Sequence, residues 1–359
     1  MRNREYGVDL FRIMGLFFVN TLHACLYNGF YYEAQEGGAM LFFNSVRWLL
    51  FGCNAMFMLM TGYLKSGSPW KKGYYKSLLV VVVGYVLTCV ISYPIRYFWL
   101  EQKDSLEVWV NRFFTFSNYA WYAEMYIGLF ILSPILNMAV NSIQDNRKLW
   151  MLVLSMVFIT SLPAETRVQG PDGAYALIPD YWSGLYPVTL YLIGAAIRKT
   201  KPKVPAWVGL TIAVFTAVGL GYATLTTATK GFYSGYGQGY GGFWVMIMVT
   251  GLFLSIYQLQ INPRVGKVLA FISGGAFEGY ILSYVLDIRY YKDFAQWHDP
   301  QYYWLLFLCV TLPIFLASLT AGNLVHALSK AIGNGLYKGF DALAGALRKL
   351  FSKIPIPKA

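Results

Sequence analysis

Charged residues are scarce in this chain: Asp, Glu, Lys and Arg together make up 13% of its 359 residues, and 57% are hydrophobic. A soluble domain of average composition carries about 25% charged residues. This shortage of charge excludes an ordinary water-soluble globule. We therefore expect an integral membrane protein whose surroundings are the lipid bilayer.

Cysteine and histidine are also few, with four and three residues. All four cysteines lie in apolar runs, without CxxC or Cys/His spacing: Cys25, Cys53, Cys89 and Cys309. This placement indicates neither a disulfide framework nor a zinc site. We predict that the protein uses no metal.

Long apolar runs are abundant instead. Stretches of about 17–25 residues recur along the chain, and a run of this length can cross a bilayer as a helix. The first run carries Asp9, Arg12 and His23, which a cleavable signal peptide would not, so we expect it to be the first membrane helix. The runs predict an all-α, polytopic bundle of about ten transmembrane helices, near residues 7–28, 40–63, 77–98, 118–139, 149–163, 183–197, 206–226, 242–258, 269–288 and 303–326.

Basic residues mark one side of the membrane. With the N-terminus in the cytoplasm, most of the 29 lysines and arginines fall in cytoplasmic segments or in the tail. This asymmetry is the positive-inside pattern, and it predicts that both termini are cytoplasmic. The net charge of +12 then needs no nucleic-acid partner. We expect a multi-pass protein of the cell membrane, most simply the bacterial cytoplasmic membrane.

The chain divides into a membrane domain over residues 1–327 and a basic tail over residues 328–359. Apolar residues recur in the tail at helical spacing, with lysines and arginines between them: Leu336, Phe340, Leu343, Leu347 and Leu350. This pattern predicts an amphipathic helix that lies on the inner membrane surface.

Ionisable residues inside a membrane helix are costly, so each one is a functional candidate. Arg12 and His23 are eleven residues apart, which places them on one face of a helix and about 16 Å apart along its axis. Asp9 precedes Arg12 by three residues and can pair with it. Histidine is suited to proton transfer near neutral pH, and arginine is suited to holding phosphate. Two plainer interpretations stay open: Arg12 marks the cytoplasmic interface, and His23 is an ordinary packed residue.

Several segments resemble the integral membrane acyltransferase-3 family. VDLFRIMGLFFVNTLHA (8–24) is similar to the family's opening helix, whose signature is an arginine, ten residues and a histidine, matched here by Arg12 and His23. One departure is Ser283, which stands where many members have a second histidine. Further similar segments cover most of the chain: NAMFMLMTGYL (54–64), KKGYYKSLLVVVVGY (71–85), AWYAEMYIGLFILSPILN (120–137), PDYWSGLYPVTLYLIGAAIRK (179–199) and SGGAFEGYILSYVLD (273–287).

This resemblance implies a membrane O-acyltransferase. Such an enzyme takes an acyl group, usually acetyl, from cytoplasmic acyl-CoA and transfers it to a hydroxyl of an extracytoplasmic or lipid-linked glycan or glycoside. His23 is then the general base or a transient acyl carrier, and Arg12 holds CoA phosphate or orients the donor. Lys72 and Lys76, at the cytoplasmic mouth of the third predicted helix, either add phosphate contacts or serve only as topogenic charge.

Three further ionisable residues are site candidates. Glu124 either takes part in the reaction, by orienting His23 or by binding an acceptor hydroxyl, or pairs with a buried arginine. Asp287 and Arg47 are assigned to acceptor binding, and Arg47 is alternatively an interfacial anchor or the partner of Glu124.

A transporter or glycan-export component is the alternative function. Ionisable residues in membrane helices also serve transport. No inverted repeat and no matched pair of interrupted helices appears in the sequence, which disfavours this alternative. The residues leave open the acceptor, the acyl group and the oligomeric state.

Overall fold

The computed structural model describes residues 4–71, 73–115, 121–165, 168–170, 173–175, 177–227, 239–293 and 300–351. Across these residues the chain is helical apart from one short antiparallel hairpin, in which Val168–Gly170 pairs with Gly173–Tyr175. The α-helices of the described residues are α1 (Tyr6–Tyr27), α2 (Gly37–Phe51), α3 (Cys53–Lys65), α4 (Lys76–Phe98), α5 (Leu106–Thr115), α6 (Trp121–Ser142), α7 (Asn146–Glu165), α8 (Tyr186–Thr200), α9 (Ala206–Thr227), α10 (Phe243–Ile256), α11 (Pro263–Ile272), α12 (Ala276–Asp293) and α13 (Pro300–Phe351).

The predicted all-helical membrane architecture is confirmed in its coarse form. Among the described residues, six segments are long and apolar enough to cross a bilayer: Tyr6–Tyr27, Lys76–Phe98, Trp121–Ser142, Ala206–Thr227, Pro263–Asp293 and Cys309–Leu347. Other predicted spans coincide with shorter helices, such as the 14-residue α10. The number of about ten spans and the cytoplasmic position of the termini stay predictions.

The helix predicted over residues 40–63 consists of two helices, α2 and α3, which meet at Gly52. A Cβ atom on Gly52 would lie 2.7 Å from Cγ2 of Val249, so only glycine lets this joint press against α10. Glycine also weakens a helix interior, because it loses the most conformational freedom on folding. The same residue therefore permits the close contact and weakens the helix there.

Helix α1 lies in the interior of the bundle, in contact with α2, α3, α10, α11 and α12. A Cβ atom on Gly7 would lie 2.1 Å from the carbonyl oxygen of Ile256, and one on Gly15 would lie 2.9 Å from the ring of Phe57. Such small residues allow helices to approach closely where lipid provides no hydrophobic driving force. The ionisable residues of α1 consequently face protein rather than lipid.

A polar cluster fixes the start of α1. Glu5 accepts hydrogen bonds from Tyr63 at 2.7 Å, from Arg198 at 2.6 Å and from Lys201. Burial alone would raise the pKa of Glu5, but the hydrogen bonds from Lys201 and Tyr63 outweigh it and hold that pKa below its ordinary value. The cluster ties the start of α1 to α3 and to the end of α8.

Helix α12 runs beside α1 and is closely packed on α13. A Cβ atom on Gly322 would lie 2.4 Å from the carbonyl oxygen of Gly275, and one on Gly279 would lie 2.7 Å from that of Ser318. This contact between backbones brings the following turn of α13, with His326, onto the first turn of α12, with Glu278.

Helix α13 is 52 residues long, or about 78 Å, which is more than twice the thickness of a bilayer's hydrocarbon core. It continues without a break across residue 327, so the tail extends the last membrane helix and does not begin as a separate surface helix. Tyr337 of the tail lies against Lys76 at the start of α4, with 5.3 Å between Nζ and the ring centre. The predicted apolar stripe is present and exposed at Leu336, Phe340, Leu343 and Leu347.

Candidate functional site

A cavity of about 220 Å³ lies beside α1 and is walled by α3, α4, α6, α12 and α13. Helix α1 contributes Arg12 and Val19, which are about 10 Å apart along the helix axis. We call the two ends of the cavity the Arg12 end and the Val19 end. Most of the wall is apolar or aromatic, which suits an extended, largely uncharged ligand segment.

Arg12 is available to a ligand because its expected partner is engaged elsewhere. Both oxygens of Asp9 accept hydrogen bonds from Arg4 at 2.8 Å, and one of them also accepts from the Ser273 hydroxyl at 2.9 Å. Arg12 makes no hydrogen bond or ion pair to any residue that the structure describes, although Asp9 still acts on it through space. The expected Asp9–Arg12 pair is thus replaced by an Asp9–Arg4 pair, and the Arg12 guanidinium lines the cavity.

Two more basic side chains line the cavity near Arg12. Lys65, the last residue of α3, donates to the Ser77 hydroxyl at 3.0 Å and lies 4.3 Å from the ring centre of Phe130. The Nδ1 atom of His326 lies 2.9 Å from Oε1 of Glu278, a carboxylate that is 2% exposed.

The sequence patterns did not indicate Lys65, Glu278 or His326 as site residues. A signal for the pair was present, because Glu278 interrupts the apolar run 269–288 and His326 ends the run 303–326. What the sequence could not show is that the two meet.

His23 lies one helical turn beyond the Val19 end of the cavity, about 6 Å further along α1. Its Nδ1 atom lies 2.5 Å from Oδ2 of Asp287, whose side chain is fully buried on α12. The rings of Tyr27 and Tyr284 contact His23 edge-on, with ring centres 6.2 and 6.1 Å away. With Asp287 ionised, Nδ1 carries the hydrogen and donates it to the carboxylate, which leaves Nε2 as the reactive nitrogen.

The structure brings Asp287, which we had assigned to acceptor binding, to His23. Glu124, which we had expected to orient His23, is exposed, whereas Tyr122 and Tyr126 of the same helix line the cavity. The carboxylate that holds the histidine is therefore Asp287 rather than Glu124.

Of the remaining predicted residues, Lys76 and Arg47 do not line the cavity, and Lys72 lies outside the described residues. Lys76 contacts Tyr337. Arg47 of α2 is buried: its Nε donates to the Tyr31 hydroxyl at 3.2 Å, and its guanidinium lies 4.6 Å from the ring centres of both Trp48 and Phe51. A role of Arg47 in acceptor binding stays a prediction, and its surroundings are those of an aromatic-packed cation.

Comparison with known proteins assigns the chain to a family. The family model described as an acyltransferase domain, of the acyltransferase-3 type, matches residues 5–323. This match includes Arg12, His23 and Asp287, and it ends three residues before His326. No curated protein and no solved structure matches the chain. The chain belongs to the integral membrane acyltransferase-3 family, as its motifs predicted.

Proposed function

We propose that this protein transfers an acyl group, most simply acetyl, from cytoplasmic acyl-CoA to a hydroxyl of an extracytoplasmic or lipid-linked glycan. One observation carries the proposal: Arg12 and His23 lie on the same face of the continuous helix α1, and the cavity is lined by Arg12 and by Val19, which is one turn before His23. A phosphate-binding group at one end and a base at the other match the two ends of an acyl-CoA donor. The positive-inside pattern assigns the Arg12 end to the cytoplasm.

The donor enters this site from the Arg12 end. Arginine binds phosphate oxygens through paired N–H donors, and Arg12 has no competing partner among the described residues. Its position fits the phosphates of CoA, with Lys65 beside it. The narrow, mostly apolar space between Arg12 and Val19 fits the pantetheine arm, which delivers the thioester toward His23.

His23 and Asp287 supply the chemistry of the transfer. In the direct route, Nε2 of His23 takes the proton of the acceptor hydroxyl, and the hydroxyl oxygen bonds to the thioester carbonyl carbon. The carbon–sulfur bond then breaks, and the CoA thiolate receives the proton from His23. The Asp287 carboxylate holds the ring through Nδ1 and stabilises the positive charge that the ring carries between the two proton transfers.

The acceptor reaches His23 from the opposite side of the membrane. Large aromatic side chains are exposed on that side, with Tyr32 87% exposed, Tyr181 75% and Trp182 40%. Their apolar ring faces and polar tips suit a polyhydroxylated ligand, as they also suit the membrane interface. We propose a glycan as the acceptor on this basis and on the usual acceptors of the family.

The test uses the detergent-purified full-length protein, wild type beside His23→Ala and Arg12→Ala. We measure acetyl-CoA binding by calorimetry and thioester hydrolysis by thiol release. His23→Ala should bind acetyl-CoA like the wild type but lose hydrolysis, because His23 lies beyond the cavity and acts only in the chemical step. Arg12→Ala should weaken binding about tenfold or more, since it loses a charge-assisted phosphate contact.

Lys330→Gln is the matched control, because Lys330 is an exposed basic residue that does not line the cavity. This variant should bind and hydrolyse acetyl-CoA like the wild type. A folded wild-type protein that binds no acetyl-CoA would overturn the proposal and favour a transport role for the same polar residues.

A further inference from the structure

Three basic side chains from three different helices line the cavity: Arg12 from α1, Lys65 from α3 and His326 from α13. The hydrogen bonds of Tyr63 with Glu5 and of Ser273 with Asp9 bring the end of α3 and the start of α12 to the first turns of α1, so we assign all three side chains to the Arg12 end. The single carboxylate among the described cavity-lining residues is Glu278, and it is the partner of His326. When His326 is protonated, it balances Glu278, and Arg12 and Lys65 leave a net positive charge. When His326 is neutral, the charge of the Glu278 carboxylate cancels one of the two positive charges of Arg12 and Lys65.

His326 is oriented for a ligand. Its Nδ1 is engaged by Glu278, and its Nε2 makes no hydrogen bond to any residue in the described part of the chain. The side chain is 33% exposed, whereas that of Glu278 is 2% exposed. Gly274, just before α12, faces this edge of the ring without a side chain, and a Cβ atom there would lie 3.5 Å from Cδ2 and 3.8 Å from Nε2.

We propose that His326 is a phosphate-binding residue of the donor site. The proposal rests on the proposed function, since the phosphates in question are those of acyl-CoA. In the protonated ring, Nε2–H donates to a phosphate oxygen beside Arg12 and Lys65, while Nδ1–H donates to Glu278. In the neutral ring, with Nδ1–H still on Glu278, Nε2 becomes an acceptor and repels the phosphate oxygen.

The experiment compares three ligands that divide the donor into parts: CoA, adenosine 3′,5′-bisphosphate and pantetheine. Binding is measured for wild type, His326→Gln, His326→Arg and the control Lys330→Gln, which removes a cation one turn further along α13. His326→Gln should weaken the binding of CoA and of the bisphosphate about tenfold, and the binding of pantetheine less than twofold. His326→Arg should restore affinity to near the wild-type value, and Lys330→Gln should not change it.

Several results would overturn the assignment. Equal weakening of all three ligands by His326→Gln would show a structural role. The measurements are repeated in nanodiscs of phosphatidylcholine alone and with phosphatidylglycerol, and an effect of His326 confined to the latter would assign the residue to a lipid headgroup. A wild type that binds no CoA contradicts the proposed function itself, whereas CoA binding that His326→Gln leaves unchanged contradicts only this inference.

Discussion

At the scale of single residues, the two histidines of the site have the same construction. Each presents Nδ1 to a buried carboxylate on α12, His23 to Asp287 at 2.5 Å and His326 to Glu278 at 2.9 Å. A carboxylate on one ring nitrogen fixes the orientation of the ring and directs the other nitrogen outward. The two carboxylates, Glu278 and Asp287, lie nine residues apart on α12. A single helix therefore holds the carboxylate partners of both histidines, one at each end of the proposed reaction path.

Asp287→Asn tests whether the carboxylate matters beyond holding the ring. The amide keeps the size of the side chain but carries no negative charge to stabilise a positive imidazole. Its NH2 group can also donate to Nδ1, which favours the tautomer with the hydrogen on Nε2. We expect thioester turnover to fall on the order of a hundredfold or more. Acetyl-CoA affinity should stay within twofold, because Asp287 does not line the cavity. Single-turnover kinetics and calorimetry separate the two effects.

Glu124→Gln is the companion variant, since it removes a carboxylate that the sequence had also placed near His23. Glu124 is exposed on α6, so its loss should change turnover less than twofold. A large loss in Glu124→Gln with normal turnover in Asp287→Asn would reverse the assignment made from the structure.

At the scale of helices, the site depends on how closely α12 and α13 approach each other. Gly322→Ala places a Cβ atom 2.4 Å from the carbonyl oxygen of Gly275, so the helices must separate. We expect this variant to lose about 1–3 kcal/mol of stability, visible as a lower melting temperature in detergent. The hydrogen bond between His326 and Glu278 should also weaken, because it joins the two helices that separate.

Gly335→Ala is the control, because Gly335 lies on the same helix in open space. Alanine is favoured over glycine in a helix by about 1 kcal/mol, so this variant should melt at the same or a higher temperature. Equal melting temperatures for the two variants would mean that α12 and α13 are not in close backbone contact.

At the scale of the whole molecule, the proposed reaction requires that the Arg12 end face the cytoplasm. The positive-inside pattern places residue 203, after α8, in the cytoplasm and residue 104, after α4, outside. In intact cells, a membrane-impermeant maleimide should label Asp104→Cys and leave Lys203→Cys unlabelled. In permeabilised cells, the maleimide should label both cysteine variants. Labelling of Lys203→Cys in intact cells would invert the topology and place the donor site on the wrong side for cytoplasmic acyl-CoA.

The sequence by itself determined the class of protein, the family and one face of the site. Composition shows that lipid is the solvent, and apolar runs mark the helices because backbone groups in lipid must bond within the helix. The spacing of Arg12 and His23 follows from helix geometry alone, since both residues belong to one continuous helix. In the structure, Arg12 and His23 lie on one face of α1, as predicted.

Only the tertiary structure decided which side chains complete that site. Asp287 and His23 are 264 residues apart, and Glu278 and His326 are 48 apart, so no helical periodicity relates their positions. Their contacts arise because glycines let α12 approach α13 and because α12 runs beside α1, with Ser273 bonded to Asp9 at one end. Asp9 is held by Arg4 of the same segment and by Ser273, which leaves Arg12 for a ligand. Contacts between helices depend on all the surfaces that pack together, and these cannot be read from any one segment.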